Sequence, residues 1–465
     1  MLNTLKIYHT NDVHSHFEFW PRIVKQIHTE RREASAKGHS LFYFDCGDFM
    51  DRANPLTEGT LGQGNTLLLN QAGADAVTIG NNEGITLTKE ELNALYTQAD
   101  FPILAANLFD ENGERPHWAK VTEVFTTGDG LRIGVAGVTV AFQAFYHSLG
   151  WQVEDPFKYL PEIIAELRKN CDLVVVLSHL GLNFDERMAQ EIKGIDLILG
   201  AHTHHVLPEG KMINGTLVAQ TGKFGVYLGE INIEYEPATK KITSKRAGLI
   251  DLSDKAEDSG GAELLLELKQ RGEKVLETEV AILQEPLHIS WYESSPFAQL
   301  MADALKEWSK TSYSMVNSGI ILESLPAGRV TKGDLHRICP HPINPCIVDL
   351  TGDEIKEIVQ AGLSLEMIHR EVRGFGFRGK VMGRMAFSGI RVEETMLDDQ
   401  QVHLRRIWMN GEPVKDEQVY KVTVIDMFTF GKFYPTIARN KTKRFMLPET
   451  LRDLLEWKLR MGIGQ

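Results

Sequence analysis

Short apolar runs alternate with polar or glycine-rich breaks from Leu5 to about Glu236. The runs are LKIY, LFYF, DAVTI, FPILAAN, LRIGVAGV, DLVVVL, DLIL and GTLVAQ, and they have the length of buried β-strands. Helical spacing of apolar residues follows several of the breaks, at residues 22–36, 61–72, 89–98 and 156–170. This alternation predicts an α/β layered domain whose interior strands are covered on both faces.

The pattern changes near Asp251. A polar break and then a charged amphipathic helix follow in the segment DLSDKAEDSGGAELLLELKQRGEKVLETEV. Farther along, the sequence predicts a helix near residues 298–309 and strands at SYSMVN, MAFSGIRV and YKVTVI. We therefore predict a first domain over residues 1–250, a linker with a helix over 251–284, and a second, smaller α/β domain over 285–465.

Composition narrows the functional classes. The 465 residues are too many for one hydrophobic core, and the formal net charge of -13 argues against a nucleic-acid polymer as a partner. No apolar run approaches the roughly 20 residues that span a bilayer, and the opening residues lack a secretory signal. The four cysteines form no CxxC motif and no disulfide framework. We expect a cytoplasmic protein without a membrane partner, and the sequence leaves its oligomeric state open.

Residues of the types that bind metals follow five of the predicted strands. They are Asp12, His14 and His16, then Asp48, then Asn81, then His179, and finally His202, His204 and His205. In an open α/β sheet the carboxyl ends of the strands border the ligand crevice. Alternate residues of an extended segment face the same way, so Asp12 and His14 can reach one ion together. Carboxylates and imidazoles that converge there predict a site for more than one metal ion.

Each of these motifs alone has an ordinary structural explanation. A single histidine is more often a surface or hydrogen-bonded residue, and Gly-Asp or Gly-Asn after an apolar run is commonly a turn. The five segments together favour a metal site, because all of them would otherwise carry ligand types at strand ends by coincidence.

The motifs HTNDVHSH, DCGD, GNNE, LSHLG and GAHTHH, in this order, resemble those of the dinuclear calcineurin-like metallophosphoesterases. More narrowly they resemble the 5'-nucleotidase family, whose bacterial members include UDP-sugar hydrolases and 2',3'-cyclic-nucleotide phosphodiesterases. ESSPFAQLMADA, NSG, KGDLHRICPHPIN and MAFSGIRV resemble landmarks of that family's carboxy-terminal domain. The resemblance thus spans nearly the whole chain. It implies a four-layer αββα sandwich that a linker helix joins to a smaller α/β domain.

The resemblance also implies a set of metal ligands and a reaction. One divalent ion would be held by Asp12, His14, Asp48 and His204, and a second by Asp48, Asn81, His179 and His202, so that Asp48 is shared. The ions would be Mn, Zn, Fe or Mg. The implied reaction is hydrolysis of a phosphoester in a nucleotide or related small molecule, by in-line attack of a water or hydroxide that the two ions share.

The stretch GNNEGI departs from the family pattern. Relatives carry GNHEFD, so Asn82 stands at the position of a catalytic histidine and Ile85 at that of its aspartate partner. An amide can donate a hydrogen bond to a phosphoryl oxygen but cannot deliver a proton at neutral pH. The metals alone could suffice for a good leaving group, with His16 or His205 as proton donor, or turnover could be slow. We take Asn82 and His16 as candidate catalytic residues.

The second domain departs further. Where relatives carry an NGGGIR-like stretch this chain has NSGIIL, so the expected arginine is replaced at or beside Ile321, and Arg337 or Arg329 could substitute. A GGDGY-like segment is TFGKFYP here, with Lys432 at the position of the acid, and a further expected aromatic falls near Arg384, with Phe375 and Phe377 as other candidates. The arginines could equally be solvated and the aromatic residues could be core. The predicted substrate-binding residues are Asn317, Gly319, Arg337, Phe428, Phe433 and Tyr434.

Three functional hypotheses follow. The first is a 5'-nucleotidase-like hydrolase of a small nucleotide or related phosphoester. The second is a phosphodiesterase for cyclic nucleotides, dinucleotides or UDP-sugars, since diester and anhydride leaving groups need less proton donation. The third, from another class, is a metal-containing nucleotide-binding protein with little turnover.

Overall fold

The structure is a computed structural model that describes residues 2–374, 376–396, 402–431 and 433–462. The chain forms two compact units, Met1–Glu273 and Lys274–Gln465. The division lies inside one long helix, Ser259–Leu276, within the segment predicted as a linker. Within the described part of the chain, no helix combines the length and the apolar character needed to cross a bilayer.

The described residues of unit 1 form fifteen strands and nine helices, the last of which continues into unit 2. Its strands are β1 (Asn3–Thr10), β2 (Ser40–Asp45), β3 (Ala76–Thr78), β4 (Ile103–Leu104), β5 (Leu108–Asp110), β6 (Ala119–Lys120), β7 (Thr122–Thr126), β8 (Arg132–Thr139), β9 (Trp151–Val153), β10 (Leu173–His179), β11 (Leu197–Gly200), β12 (Lys211–Ile213), β13 (Thr216–Ala219), β14 (Tyr227–Tyr235) and β15 (Ile242–Asp251). Its helices are α1 (Trp20–Ala36), α2 (Pro55–Thr60), α3 (Gln63–Ala72), α4 (Asn81–Ile85), α5 (Lys89–Leu95), α6 (Gln143–Ser148), α7 (Pro156–Asn170), α8 (Leu182–Glu191) and α9 (Ser259–Leu276).

Two sheets form the centre of unit 1. One has the order β15-β14-β1-β2-β3-β4-β6 and the other β12-β13-β11-β10-β8-β7. Alternate apolar residues of both sheets, such as Ile7 on β1 and Val175 on β10, share one buried core between the sheets. The amphipathic helices α7 and α8 cover the outer face of the second sheet, and α1 lies on the first through β2. The predicted αββα sandwich is confirmed.

The strand directions explain where side chains of the loops converge. β1 is parallel to β2 and β2 to β3 in the first sheet, while β8, β10, β11 and β13 are parallel neighbours in the second. The carboxyl ends of parallel strands lie at one edge of a sheet, so the loops that follow β1, β2, β3, β10 and β11 leave from such edges.

Unit 2 is the predicted smaller α/β domain. Its strands are β16 (Glu279–Leu283), β17 (Tyr313–Asn317), β18 (Gly328–Thr331), β19 (Pro345–Thr351), β20 (Met385–Ser388), β21 (Ile390–Met396), β22 (Val402–Met409), β23 (Glu412–Pro413), β24 (Val419–Ile425) and β25 (Arg444–Phe445). Its helices are α10 (Pro296–Ser309), α11 (Lys332–Ile338), α12 (Gly352–Gly362), α13 (Leu365–Ile368), α14 (Pro435–Arg439) and α15 (Leu451–Met461), with 3-10 turns at Ser318–Ile320 and Asp426–Phe430. A five-stranded sheet, β20-β17-β24-β19-β25, carries α10 against β17 and β20.

One predicted strand of unit 2 is two strands. MAFSGIRV was expected to be continuous, but β20 belongs to the five-stranded sheet and β21 to a separate three-stranded sheet with β22 and β23. Gly389 lies between them with φ +74°, a left-handed conformation that ends the extended backbone and that glycine adopts without strain.

The core of unit 2 encloses a carboxyl group. Asp426 begins the 3-10 turn that follows β24 and is 4% exposed. Within the described chain its Oδ1 has no hydrogen-bond partner. Burial raises the pKa of Asp426 to about 7, from a usual 3.8.

This carboxyl group predicts a dependence of stability on pH. Between about pH 4 and pH 7 the unfolded chain ionises while the folded chain keeps the proton, so the free energy of unfolding falls as pH rises through this window. The difference between the usual pKa of 3.8 and the pKa of about 7 in the folded chain corresponds to roughly 4 kcal/mol in the free energy of unfolding. Asp426→Asn should flatten this loss in urea unfolding at about pH 5 and pH 8. The exposed-acid control Glu412→Gln should keep it, and an Asn variant as pH-sensitive as the wild type would contradict the assignment.

Candidate metal centre

The loop after β1 is bound to the loop after β2. The backbone N–H groups of Asp12 and His14 donate to the carbonyl oxygens of Gly47 and Asp48, at 3.0 and 2.9 Å. Asp12, His14 and Asp48 have φ values of 51°, 50° and 50°, in the left-handed region that residues other than glycine rarely adopt. His202 and His204 have it as well, with φ 70° and 57°. Five of the seven predicted ligands therefore depend on backbone that the surrounding structure must impose.

Glu83 connects the loops after β2 and β3. Its buried carboxylate accepts hydrogen bonds from the N–H groups of Asp48 (2.9 Å), Met50 (3.0 Å) and Gly80 (2.8 Å). Burial, and then the neighbouring Asp48 carboxylate, raise the pKa of Glu83 to about 7. Sequence reasoning did not single out Glu83, although a glutamate at the third position of a helix commonly accepts from the N–H of the residue that precedes the helix, as Glu83 does from Gly80.

Six of the predicted ligands form two groups. Asp12, His14 and His204 each offer a ligand atom within 4.8 Å of the others, and Asp48, His179 and His202 do the same. Asp48 faces both groups, because its Oδ2 lies 3.8 Å from His14 Nε2 and its Oδ1 lies 3.5 Å from His179 Nε2. This is the placement expected of a carboxylate that two cations share.

The donor atoms fit divalent cations. His179 Nδ1 donates to the backbone oxygen of Cys46 (2.8 Å), so Nε2 is the ring nitrogen available to a cation. That Nε2 and the Oδ1 of Asn81 are buried, and neither has a hydrogen-bond partner among the described residues. Burying such atoms unpaired is costly, and a cation would satisfy both. A mixed set of nitrogen and oxygen donors suits manganese, iron or zinc.

The histidines of the second group differ in charge. Burial lowers the pKa of His202 to about 4, so that its ring is neutral and offers a lone pair at neutral pH. Burial also disfavours the charged form of His179, but the adjacent Asp48 carboxylate outweighs burial and raises its pKa to about 10. Cation binding at this group would displace that proton.

Two other predicted histidines lie outside these groups. His16 is 46% exposed, stacks on Phe224 with ring centroids 3.8 Å apart, and has Nδ1 3.8 Å from a carboxylate oxygen of Glu18. His205 is exposed, and its Nδ1 lies 2.9 Å from the hydroxyl of Thr203. The proton-donor roles of His16 and His205 stay predictions.

Asn82 is buried beside the first group, with 7% of its surface exposed. Its side-chain Nδ2 lies 2.8 Å from His14 Nδ1, and its backbone N–H donates to Asp48 Oδ1 at 2.7 Å.

Tyr146 packs closely against Gly84, two residues farther along the chain than Asn82. A Cβ on Gly84 would lie 1.9 Å from the hydroxyl oxygen of Tyr146. Tyr146 is fully buried against this turn, and no motif in the sequence pointed to it.

In unit 2, Asn317 and Gly319 lie at the end of β17. Asn317 Nδ2 donates to the backbone oxygen of Met382 at 2.6 Å, while its buried Oδ1 has no hydrogen-bond partner in the described ranges. A Cβ on Gly319 would lie 2.0 Å from the backbone oxygen of Val381. The two predicted substrate-binding residues therefore belong to one tightly packed turn.

The two arginines proposed as phosphate anchors make ion pairs within unit 2. Arg337 pairs with Glu323 and lies 3.4 Å from an oxygen of Asp334. Arg329 lies 3.2 Å from an oxygen of Glu279 and is 57% exposed. The phosphate-binding role of Arg337 stays a prediction.

The predicted stacking residues Phe428, Phe433 and Tyr434 are buried in the core of unit 2, at 0%, 6% and 2% exposure. Phe428 and Tyr434 meet edge to face, with ring centroids 4.6 Å apart. Their neighbour Phe430 is 43% exposed. Phe375 and Lys432 lie outside the described residues.

A cleft of about 610 Å³ lies in unit 2 between the start of α10 and the strands β20 and β21. Arg384, at the position where an aromatic residue was expected, lines it and pairs with Glu394. Arg391, Gln299 and Ser295 line it as well. Its volume is in the range of small-molecule sites, and its lining is polar.

Comparison with known proteins gives matches along most of the chain. The family models of calcineurin-like phosphoesterase and of the 5'-nucleotidase C-terminal domain match residues 5–206 and 274–435. The uncharacterized metallophosphoesterase YunD of Bacillus subtilis (strain 168) is 45% identical over 99% of this chain and 100% of its own length. The trifunctional nucleotide phosphoesterase protein YfkN of the same organism is 27% identical over 77% of this chain and 28% of its own length. The structure of Haemophilus influenzae NAD nucleotidase is 16% identical, covers 98% of this chain and 96% of that chain, and has a TM-score of 0.68, which supports the fold.

The contact between Gly80 and Asp48 is testable. We expect Gly80→Ala to displace Asp48, because the added Cβ would lie 2.1 Å from Asp48 Oδ1 and 2.6 Å from His179 Cε1. The affinity for Mn²⁺, measured by calorimetry, should fall at least about 10-fold. Gly128→Ala is the control, since no atom lies within 4 Å of its Cβ position. Equal affinities for the two variants would contradict the close approach.

Proposed function

This chain belongs to the calcineurin-like phosphoesterases with a 5'-nucleotidase carboxy-terminal domain, and from that membership we propose metal-dependent hydrolysis of a phosphoester in a small nucleotide. The family makes the chain a phosphoester-hydrolysing enzyme that uses divalent metal ions. The proposal concerns the residues that hold the ions, the substrate and the bond that is cleaved.

The observation that carries the proposal is the position of Asp48 between two groups of donors. We assign Asp12, His14, Asp48 and His204 to one ion, and Asp48, Asn81, His179 and His202 to the other. Bound ions would lower the pKa of a water molecule and offset the negative charge on the phosphoryl oxygens.

The residues of the chain fix these donors in advance. Asp12 accepts hydrogen bonds from the backbone N–H of His202 (2.9 Å) and from Asn11 Nδ2 (2.7 Å). These contacts and the bond from Asn82 N–H to Asp48 leave the carboxylates little freedom to turn. Groups oriented before the substrate arrives need no reorganisation during the reaction, which is the main way that such a site lowers the barrier.

Two features support a nucleotide as the substrate. The relative YfkN is named a nucleotide phosphoesterase, and residues 274–435 match the carboxy-terminal domain of 5'-nucleotidases. The buried Oδ1 of Asn317, without a partner in the described residues, is an acceptor that packing within unit 2 does not satisfy. We place substrate recognition at Asn317 and Gly319.

One observation favours a second candidate, a diester or anhydride as substrate. Asn82 replaces the proton-donating histidine, and its amide lies against His14. A leaving group of low pKa departs without protonation. Cleavage of the pyrophosphate bond of a dinucleotide or UDP-sugar releases a phosphate of low pKa, whereas a cyclic nucleotide, like a monophosphate, releases a sugar alkoxide.

Substitution of the shared carboxylate tests the metal site. Asp48→Asn should lower the rate of substrate hydrolysis in Mn²⁺ by more than about 100-fold, because it removes negative charge from both groups of donors. Asp254→Asn changes an exposed aspartate of the same unit and should leave the rate unchanged. If Asp48→Asn keeps the full rate in purified protein, the assigned site does not catalyse the reaction.

A substrate panel separates the two candidates. With Mn²⁺ present, the first predicts phosphate release from 5'-nucleoside monophosphates, and the second predicts a kcat/KM at least about 10-fold higher on cyclic, dinucleotide or UDP-sugar substrates. The measurement is product formation by chromatography. Hydrolysis of monophosphates alone would reject the second candidate.

A further inference from the structure

We propose that Asn82 is a positioning residue that fixes the ring of His14 and the carboxylate of Asp48, instead of acting on the substrate. This inference rests on the proposed metal site, and it assigns to Asn82 a different task from the one that its place in the family motif indicates.

The ring of His14 has one nitrogen toward each side. Its Nε2 lies 3.7 Å from Asp12 Oδ1, 3.8 Å from Asp48 Oδ2 and 3.2 Å from His204 Nε2, so it faces the other donors. Its Nδ1 lies 2.8 Å from Asn82 Nδ2. Asp51 Oδ2 is 3.9 Å from the same nitrogen, beyond hydrogen-bonding distance. Asn82 thus contacts the ring on the side away from the donors.

An amide suits this place because the two states of the ring need opposite partners. When Nε2 binds a cation, Nδ1 carries the proton and its partner must accept. When Nε2 carries the proton instead, Nδ1 must accept, and Asn82 Nδ2, at 2.8 Å, can donate to it. A half-turn of the amide exchanges Oδ1 and Nδ2, so Asn82 can serve both states, whereas a carboxylate can only accept.

The backbone N–H and carbonyl groups of Asn82 are hydrogen-bonded as well. Its N–H donates to Asp48 Oδ1 at 2.7 Å, and its carbonyl oxygen accepts from the hydroxyl of Thr86. One residue therefore orients a donor of the first group and the carboxylate that faces both groups. Turning the side chain toward a phosphoryl oxygen would break its contact with His14, whereas a half-turn of the amide in place keeps that contact.

Orienting a metal ligand and acting on the substrate differ in the quantity that loss of the residue changes. A residue that orients a ligand sets the affinity for the metal, and its loss is offset by more metal. A residue that acts on the phosphoryl or leaving oxygen changes kcat at saturating metal, most strongly for poor leaving groups.

The experiment compares Asn82→Ala and Asn82→Asp with wild type. Calorimetric titration with Mn²⁺ alone should show about 10- to 100-fold weaker binding for the Ala variant, and near wild-type binding for the Asp variant, which can still accept from Nδ1–H. Asn112→Ala, which removes an exposed amide elsewhere in unit 1, is the control. The deficit of the Ala variant in kcat/KM should shrink as Mn²⁺ is raised.

Several results would overturn the proposal. Unchanged Mn²⁺ affinity in the Ala variant would do so, as would a kcat deficit that persists at saturating Mn²⁺ and grows with the pKa of the leaving group. Absence of Mn²⁺ binding by the wild type would reject the proposed metal site itself, a failure distinct from unchanged affinity.

A second measurement uses only the wild type and so does not depend on the folding of a variant. In selectively ¹⁵N-labelled protein loaded with Zn²⁺, the nitrogen shifts of His14 should show a proton on Nδ1. A proton on Nε2 in the loaded protein would reject His14 as a ligand of the proposed metal site, and with it the proposal that Asn82 orients that ligand.

Discussion

Three backbone N–H groups converge on the carboxylate of Glu83, and the arrangement of the metal centre depends on this contact. The donors belong to Asp48, Met50 and Gly80, on the loops that follow two adjacent parallel strands. A backbone N–H that is buried without an acceptor is costly, so the shared carboxylate acceptor holds the two loops together. These hydrogen bonds keep Asp48 between the two groups of donors.

The metal-ligand candidates have strained backbone conformations, and the two sheets beneath them impose this strain. A left-handed conformation costs roughly 1–2 kcal/mol for a residue other than glycine, and Asp12, His14, Asp48, His202 and His204 all have it. Such a cost is sustained only where the surroundings determine the chain path. The surroundings here are two sheets that share a dry apolar core, together with hydrogen bonds between loops that follow different strands. A change that destabilises the sandwich is therefore expected to disturb the geometry of the site as well.

The sequence predicts what depends on residue type and strand order. The sandwich follows from apolar periodicity, and the convergence of Asp12, Asp48 and His179 follows from their places at strand ends. Partners set by tertiary contacts are beyond its reach. The amide of Asn82 was expected to face substrate because its family position does, yet only the folded loops show that His14 lies against it. The break at Gly389 depends in the same way on a φ value that composition does not specify.

The contact between Gly84 and Tyr146 bears on how this lineage can change. The family motif GNHEFD, which GNNEGI resembles, has phenylalanine at the position of Gly84, but any side chain here would have its first carbon 1.9 Å from the Tyr146 hydroxyl oxygen. Tyr146 is fully buried, so it cannot swing away without opening the core. Placing the phenylalanine of that motif at residue 84 would thus require a second substitution at Tyr146. Tyr146 thus couples two distant positions of the chain, because residue 84 must remain glycine for as long as residue 146 is tyrosine.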